Sequence, residues 1–341
     1  MRLLIVSKSW RGVCHQGLGI SALNVQKVLK IQHGLDVIIE PVATPEDVLR
    51  AVDKHDPTHV QISAPWIPTP KLFEFVNLHQ GIEWCVCYHS NIGFLAADPT
   101  ATQQLLELSD LQRGSHNFRL ASNSRALDGW VNAVLNPESI YLPNLYYLAN
   151  QGTRFPRHAP GLRPSSCGTL RVGSFGAQRP LKNHLTAAAA ALLVARQLGV
   201  TIEFHCNVGR NEGSDAQSLE RLFHDSMPGV ILKKVPWQPW PMFHRLVGQM
   251  HLCIQVSHSE SFNLVTADAA SQYVPSVVGP AITWAPSHWH TEPDDVHRVA
   301  AKAIELLTNA HAGLDGHEAL QAHNAASVPR WLDYLGVGRR S

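Results

Sequence analysis

The chain has 341 residues, 45% of them apolar, with 28 Lys and Arg against 27 Asp and Glu for a formal net charge of +1. That length predicts two domains of ordinary size, each able to bury a core of its own. The near-neutral balance excludes strong electrostatic capture of nucleic acid or of an anionic membrane by the chain as a whole.

The pattern opens with an apolar strand, Arg2 to Ser7, followed by Lys8-Ser-Trp-Arg-Gly and the turn His15-Gln-Gly-Leu-Gly19. A helix is predicted next, with Ile20, Leu23, Val28 and Ile31 on one face. Strand, glycine loop and helix open a nucleotide-binding βαβ unit, although Gly17-Leu-Gly19 alone fits a tight turn without a ligand equally well. Alternation continues through strand Asp36 to Val42, helix Pro45 to Asp53, strand His59 to Ala64, helix Pro68 to His79 and strand Glu83 to His89. Strand Arg119 to Asn123, helix Ser124 to Leu135 and strand Ser139 to Leu142 follow, ending at Pro143-Asn144. Such regularity predicts a mostly parallel, doubly wound sheet. His89 closes a strand at its carboxyl end, where parallel sheets meet ligands; in a chain with 20 histidines a structural role is the commoner outcome. Trp10, Arg11 and Trp66 fall in loops on the same predicted edge, where tryptophans either stack on sugars and bases or pack under a loop.

Between Leu148 and Cys167 the pattern gives way to Pro, Gly, Ser and Arg, which predicts an interdomain linker over residues 151–167, after a first domain of residues 1–150. The second domain, residues 168–326, runs through strand Thr169 to Phe175, helix Asn183 to Leu198, strand Val200 to Cys206, helix Asp215 to Met227, strand Val230 to Val235 and helix Pro241 to Met250. Leu252 to Val256 is then a strand, Ser257 to Ser261 a polar turn, Asn263 to Tyr273 a helix and Pro275 to Val278 a strand. An irregular stretch, Ala281 to Pro293, leads to helix Val296 to Leu307, and residues 327–341 are predicted as a short helix, Ser327 to Leu335, anchored by Trp331, with a tail. Two such doubly wound halves facing each other would make a cleft, a preferred ligand site.

Two features of the second half carry chemistry. Glu260 and Asp268 stand eight residues apart across a strand-to-helix junction; either acid could equally be a solvated helix charge. Arg179 and Lys182 just precede the helix at Asn183, where cations oppose the helix dipole, so an anionic partner such as a diphosphate would explain them. The slight basic bias of this half, 17 Lys and Arg against 14 Asp and Glu from residue 151 onward, suits a phosphorylated ligand. His288-Trp-His290 lacks a third ligand at metal spacing, so no metal and no other cofactor is expected. The six cysteines form no CxxC pair and fall mostly in strands, which predicts reduced core thiols and a cytoplasmic protein; Leu3 to Val6 is too short for a signal peptide or a span.

Taken in order, these segments resemble the retaining nucleotide-sugar glycosyltransferases of the GT-B fold, in the family 4-like group marked by an acid, seven residues and a second acid. Gly17-Leu-Gly19, His89, Leu142-Pro-Asn144, Val172-Gly173 with Lys182-Asn183, Glu260-Ser-Phe-Asn-Leu264 with Asp268, Tyr273-Val-Pro-Ser-Val-Val and Glu292-Pro-Asp-Asp-Val296 are each similar to a family motif, over nearly the whole chain. The family carries glycine where Ser261, Asn263 and Tyr273 stand, arginine where Ser174 stands and glutamate where Asp268 stands; Arg179 would take over from the missing arginine. The resemblance implies two Rossmann-like domains, the second holding a nucleotide-diphosphate sugar, commonly UDP-linked, as co-substrate. Lys182, Arg179 and the helix start at Asn263 would neutralise the leaving diphosphate without a metal. Glu260 and the N–H groups of Phe262, Asn263 and Leu264 would orient the sugar, Asp268 would accept from the ribose, Gly17 and Gly19 would line the donor, and His89 would meet the donor sugar. Attack from the leaving-group face needs no protein nucleophile. The acceptor would meet Trp10, Arg11, His15 and Trp66. A soluble acceptor comes first, since the first half is net acidic. Hydroxymethylated DNA, gripped by Lys8, Arg11, Arg154, Arg157 and Arg163, is the alternative, and a non-catalytic sugar-nucleotide-binding protein is the second.

Overall fold

The computed structural model describes residues 1–8, 17–96, 100–149, 168–210, 212, 215–223 and 229–337. The chain forms two compact units, Met1–Tyr147 with His323–Ser341, and Leu148–Ala322. The predicted linker lies outside the described residues, as do Trp10, Arg11, His15, Arg154, Arg157 and Arg163.

In the first unit, strands β1 (Arg2–Lys8), β2 (Asp36–Val42), β3 (His59–Ile62), β4 (Glu83–Tyr88), β5 (Phe118–Ser122) and β6 (Ile140–Tyr141) form one sheet in the order β2-β1-β3-β4-β5-β6. Every pairing is parallel. Helices α1 (Gly17–Lys27), α2 (Pro45–His55), α3 (Thr69–Leu78), α4 (Ile92–Leu95), α5 (Ala101–Gly114) and α6 (Arg125–Val134) connect them. Alternation along β1 sends Leu4 and Val6 to one face, against α2, α3 and α5, and Leu3 and Ile5 to the other, against α1. Such two-sided burial is why the strands read as continuous apolar runs.

The second unit holds β7 (Thr169–Ser174), α7 (His184–Leu198), β8 (Thr201–Asn207), α8 (Asp215–Leu222), β9 (Val230–Val235), α9 (Trp240–Val247), β10 (Leu252–Gln255), α10 (Leu264–Ser271), β11 (Ser276–Val278) and α11 (Val296–Thr308). Its parallel sheet has the order β11-β10-β7-β8-β9. The expectation of two doubly wound, Rossmann-like halves therefore holds.

Three local expectations need correction. Gly17 and Gly19 lie inside the first turn of α1 rather than in a loop before it. The buried face of that helix is Ala22, Val25, Val28 and Leu29, whereas Ile31 is 61% exposed; the π-helical turn Val28–Gln32 shifts the register that a 3.6-residue period assumed. The last helix is not Ser327 to Leu335 but α12 (Ala312–Tyr334), which carries Pro329 inside it. Its opening was masked by glycines that read as breakers, yet a Cβ on Gly313 would sit 2.0 Å from the Tyr273 carbonyl oxygen and one on Gly316 2.0 Å from the Trp289 ring. Close packing explains those glycines. The chain re-enters the first unit at His323, and Trp331 is buried there with its indole N–H donating 2.8 Å to the Pro143 carbonyl.

Candidate functional site

In the second sheet the chain runs from β7 toward β8 and β9 on one side, then returns to β10 and β11 on the other. The loops after β7 and β10 therefore diverge from neighbouring strands, which makes the carboxyl end of this pair a topological switch point. Each loop feeds a helix whose first N–H groups lack intrahelical partners, α7 from one side and α10 from the other.

The loop after β7 is built for close approach. Gly173 has no room for a side chain, since a Cβ there would lie 2.3 Å from the Phe175 ring, and Gly176 turns at φ 128 beside the Lys182 stem. The 3-10 turn Pro180–Lys182 and left-handed Asn183 (φ 56, ψ 39) then aim Lys182 back over the sheet end. Asn183 ties the two loops together, its amide donating to the Val256 carbonyl at 3.2 Å and the Pro293 carbonyl at 2.8 Å.

From the other loop comes Glu260, whose Oε1 accepts from Lys182 Nζ. Both side chains are nearly enclosed, with 13% of Lys182 and 10% of Glu260 exposed. Asn263 Nδ2 donates to the same Oε1 at 3.1 Å, while Asn263 Oδ1 caps α10 by accepting from Thr266 N at 2.9 Å. The structure thus brings together Lys182, Glu260, Asn263 and the α10 start at Leu264. Phe262 contributes backbone, for its side chain is 2% exposed, and its carbonyl accepts from the Trp284 indole at 2.6 Å.

Arg179 and Asp268 are engaged with other partners. Arg179 Nη1 pairs with Glu212 Oε2 at 3.3 Å, and Glu212 also accepts from Arg210 at 2.7 Å. Burial pushes the Glu212 carboxyl up, but the two guanidinium groups outweigh it and hold it below the ordinary value. Asp268 is buried, not a solvated helix charge, and its Oδ1 accepts from the Trp240 indole at 3.0 Å, joining α10 to the start of α9. Ser174 is buried too, bonded to His184 Nδ1 at 2.9 Å, and His184 Nε2 meets the Ala177 carbonyl at 3.3 Å. Because a carbonyl only accepts, His184 carries its proton on Nε2 and Ser174 donates to Nδ1. Burial, with the nearby Lys182 charge, lowers the His184 pKa to about 4, so it is neutral.

In the first unit His89 follows β4. Its Nδ1 is 3.1 Å from Asn123 Nδ2, and burial lowers its pKa to about 4. An amide N–H donating to Nδ1 leaves the proton on Nε2, so the neutral ring is a hydrogen-bond donor there. Trp66 is partly buried against the core, and Lys8 Nζ stands 5.4 Å from its ring centre, so one face of this predicted acceptor residue is covered by a cation. The described cysteines Cys85, Cys87, Cys206 and Cys253 are buried free thiols. Burial drives Cys87 and Cys253 up to about 12 and Cys206 to about 11, which leaves them unreactive. Among the described residues no group of three His, Cys, Asp or Glu could hold a metal ion, and no helix is long and apolar enough to cross a membrane.

Sequence reasoning missed Asn183 as a bracket, Glu212 as the Arg179 partner, and Trp240 and Trp284 as indole donors. Only the αL-tolerant asparagine before a helix carried a local signal; the rest depend on contacts between distant segments.

No family model matches the chain and no curated protein matches it in sequence. Solved structures do. Sucrose-phosphate synthase from Thermosynechococcus elongatus matches at a TM-score of 0.68 and 14% identity over 100% of both chains. HepE of Anabaena in complex with UDP and glucose matches at 0.65 and 15%, again over 100% of both. A variant of S. aureus TarM, solved with UDP among its ligands, matches at 0.58 and 16% over 81% of this chain and 54% of TarM, so the present chain spans about half of TarM's length. At these identities the likeness establishes the fold, that of the GT-B glycosyltransferases.

Proposed function

We propose that this chain is a glycosyltransferase that moves a sugar from a nucleotide-diphosphate sugar, with UDP as the nucleotide, to an acceptor hydroxyl with retention at the anomeric carbon. The observation that carries the reading is the enclosed Lys182–Glu260 pair at the switch point, set where α7 and α10 begin. UDP bound to HepE and TarM, which share the fold, supports the choice of nucleotide.

An ion pair at a binding site is a held reserve of charge. When a diphosphate arrives, Lys182 turns from Glu260 to a phosphate oxygen and Glu260 is released to accept from a sugar hydroxyl. In the transfer step the acceptor oxygen bonds to the anomeric carbon on the face the diphosphate leaves. The bond to the phosphate oxygen breaks with its electron pair, and the acceptor proton passes to that oxygen. Charge then grows on the diphosphate, where Lys182 and the N–H ends of the two helix dipoles offset it; this is the electrostatic part of catalysis, done without a metal. Arg179, held by Glu212, supplies positive potential nearby rather than a direct bond. Asp268 serves through Trp240, not by reaching the ribose. His89, neutral and protonated on Nε2, offers a hydrogen-bond donor to a sugar hydroxyl. The acceptor is a soluble hydroxyl compound.

A nucleotide-sugar thermal-shift screen tests the reading, because a ligand bound only by the folded state raises its stability with the logarithm of concentration over Kd. UDP and a UDP-sugar are expected to raise the midpoint, and NMR of the transferred sugar to report the donor's anomeric configuration. No shift with any nucleotide sugar at millimolar concentration would overturn it.

A further inference from the structure

We infer that Trp284 is a positioning residue of the donor site, fixing which way the Phe262–Asn263 peptide faces. The inference rests on the proposed donor site.

Trp284 lies in the loop after β11, and its indole N–H donates to the Phe262 carbonyl at 2.6 Å. Its ring also lies against the Phe262 ring, centroids 5.4 Å apart and planes inclined by 30°, so the indole is held from two directions. In a planar trans peptide the carbonyl and the next N–H point to opposite sides. Drawing the Phe262 carbonyl toward Trp284 therefore turns the Asn263 N–H to the other side. On that residue, the Asn263 amide group binds Glu260 Oε1 at 3.1 Å.

The backbone indicates that this orientation is held, not preferred. Asn263 sits at φ 64, ψ 89, a positive-φ conformation that costs any residue bearing a side chain, asparagine least of them. Rotating the peptide by half a turn changes ψ of Phe262 and φ of Asn263 together and carries Asn263 back to ordinary negative φ. The turned peptide would present a carbonyl oxygen where the N–H stands, and an oxygen repels both a diphosphate and the lone pairs of a sugar. Asn263 holds its own end by capping Thr266 N. Trp284 holds the Phe262 end. Its loop thus sets the polarity of the turn that carries Glu260.

The test uses the full chain and UDP. W284F keeps an aromatic ring against Phe262 and removes the indole N–H together with part of the ring system's bulk, which is why the comparison between two backgrounds is needed. Loss of that bond is expected to raise the Kd for UDP and the donor KM about tenfold, with little change in kcat at saturating donor. In an N263G background, where φ 64 costs nothing, the same W284F change is expected to cost less. A merely structural indole would cost the same in both backgrounds. The Asn263 amide resonance of the unchanged protein gives a readout independent of any variant, since a donor-facing N–H must shift when UDP binds. An unmoved Asn263 resonance, a W284F protein with unaltered Kd and KM, or equal penalties in the two backgrounds would each overturn the inference while leaving the donor site standing. A wild-type chain that binds no UDP removes the donor-site reading itself.

Discussion

Replacing Lys182 by alanine separates stability from binding at the switch point. Glu260, 10% exposed with Lys182 in place, would keep Asn263 Nδ2 at 3.1 Å as its side-chain partner. Breaking one side of a buried ion pair costs about 3–5 kcal/mol, and the surviving amide bond with some water access brings K182A to about 2–3 kcal/mol. K182M/E260Q, which removes both charges, should recover most of the stability and none of the transfer. Binding moves differently. A lysine–phosphate bond is worth about 1.5–3 kcal/mol, so K182A should weaken UDP about 10- to 100-fold. E260Q frees Lys182 from its charged partner before UDP arrives, so UDP should bind at least as tightly as to wild type while transfer falls. Urea denaturation and calorimetric titration with UDP measure both effects. Wild-type UDP affinity in K182A, or an equal loss of affinity in E260Q, would refute the assignment of the pair.

Two further outcomes follow from the fold. Burial holds His184 at a pKa of about 4 against an ordinary 6.5, so the unfolded chain binds more protons between those values. Stability is therefore complete above about pH 6.5 and falls toward pH 4 by about 3 kcal/mol for this histidine; urea titrations of wild type and H184Q should show the variant losing less over that window, and parallel slopes would contradict it. G313A drives a methyl to 2.0 Å from the Tyr273 carbonyl oxygen, a backbone atom that cannot swing aside. A loss of about 1–3 kcal/mol is expected by chemical denaturation, and a neutral result would show that α12 can shift.

Strands were the most legible part of the chain. The edge strands Asp36–Val42 and Val230–Val235 match their predicted bounds to the residue although each is only partly buried, because β-favouring residues bounded by turn signals mark a strand whether or not both faces are covered. Helix α5 was missed although Ala101, Leu105, Leu108 and Leu111 keep a helical period, because no cap marks its start: Thr100 makes no side-chain cap bond. The buried face of α1 was misread for a different reason. Ser21 and Asn24 are buried there because Ser21 donates to Asn144 Oδ1 at 2.9 Å and Asn24 Oδ1 accepts from Tyr147 N at 2.9 Å, partners over a hundred residues away. A periodicity argument scores such residues as surface. At the site, Lys182 and Glu260 were legible because each sits beside a strand-to-helix junction. Their contact, across 78 residues of chain, required the sheet order.

Two residues around α10 hold backbone conformations that glycine adopts most easily. Asn263 and Tyr273 have φ of 64 and 60, the left-handed region that glycine enters freely and other residues enter at about 1–2 kcal/mol each. Both costs have visible offsets. Asparagine is the side chain best suited to this region, and Asn263 adds bonds to Thr266 N and Glu260. Tyr273 stacks on His317 with ring centres 4.4 Å apart and planes 19° apart, and His317 Nδ1 is 3.3 Å from the Ala270 carbonyl. Gly313 then supplies the space beside the Tyr273 backbone. The turn that presents Glu260 and the end of α10 thus form with their strain carried by Asn263 and Tyr273 instead of avoided.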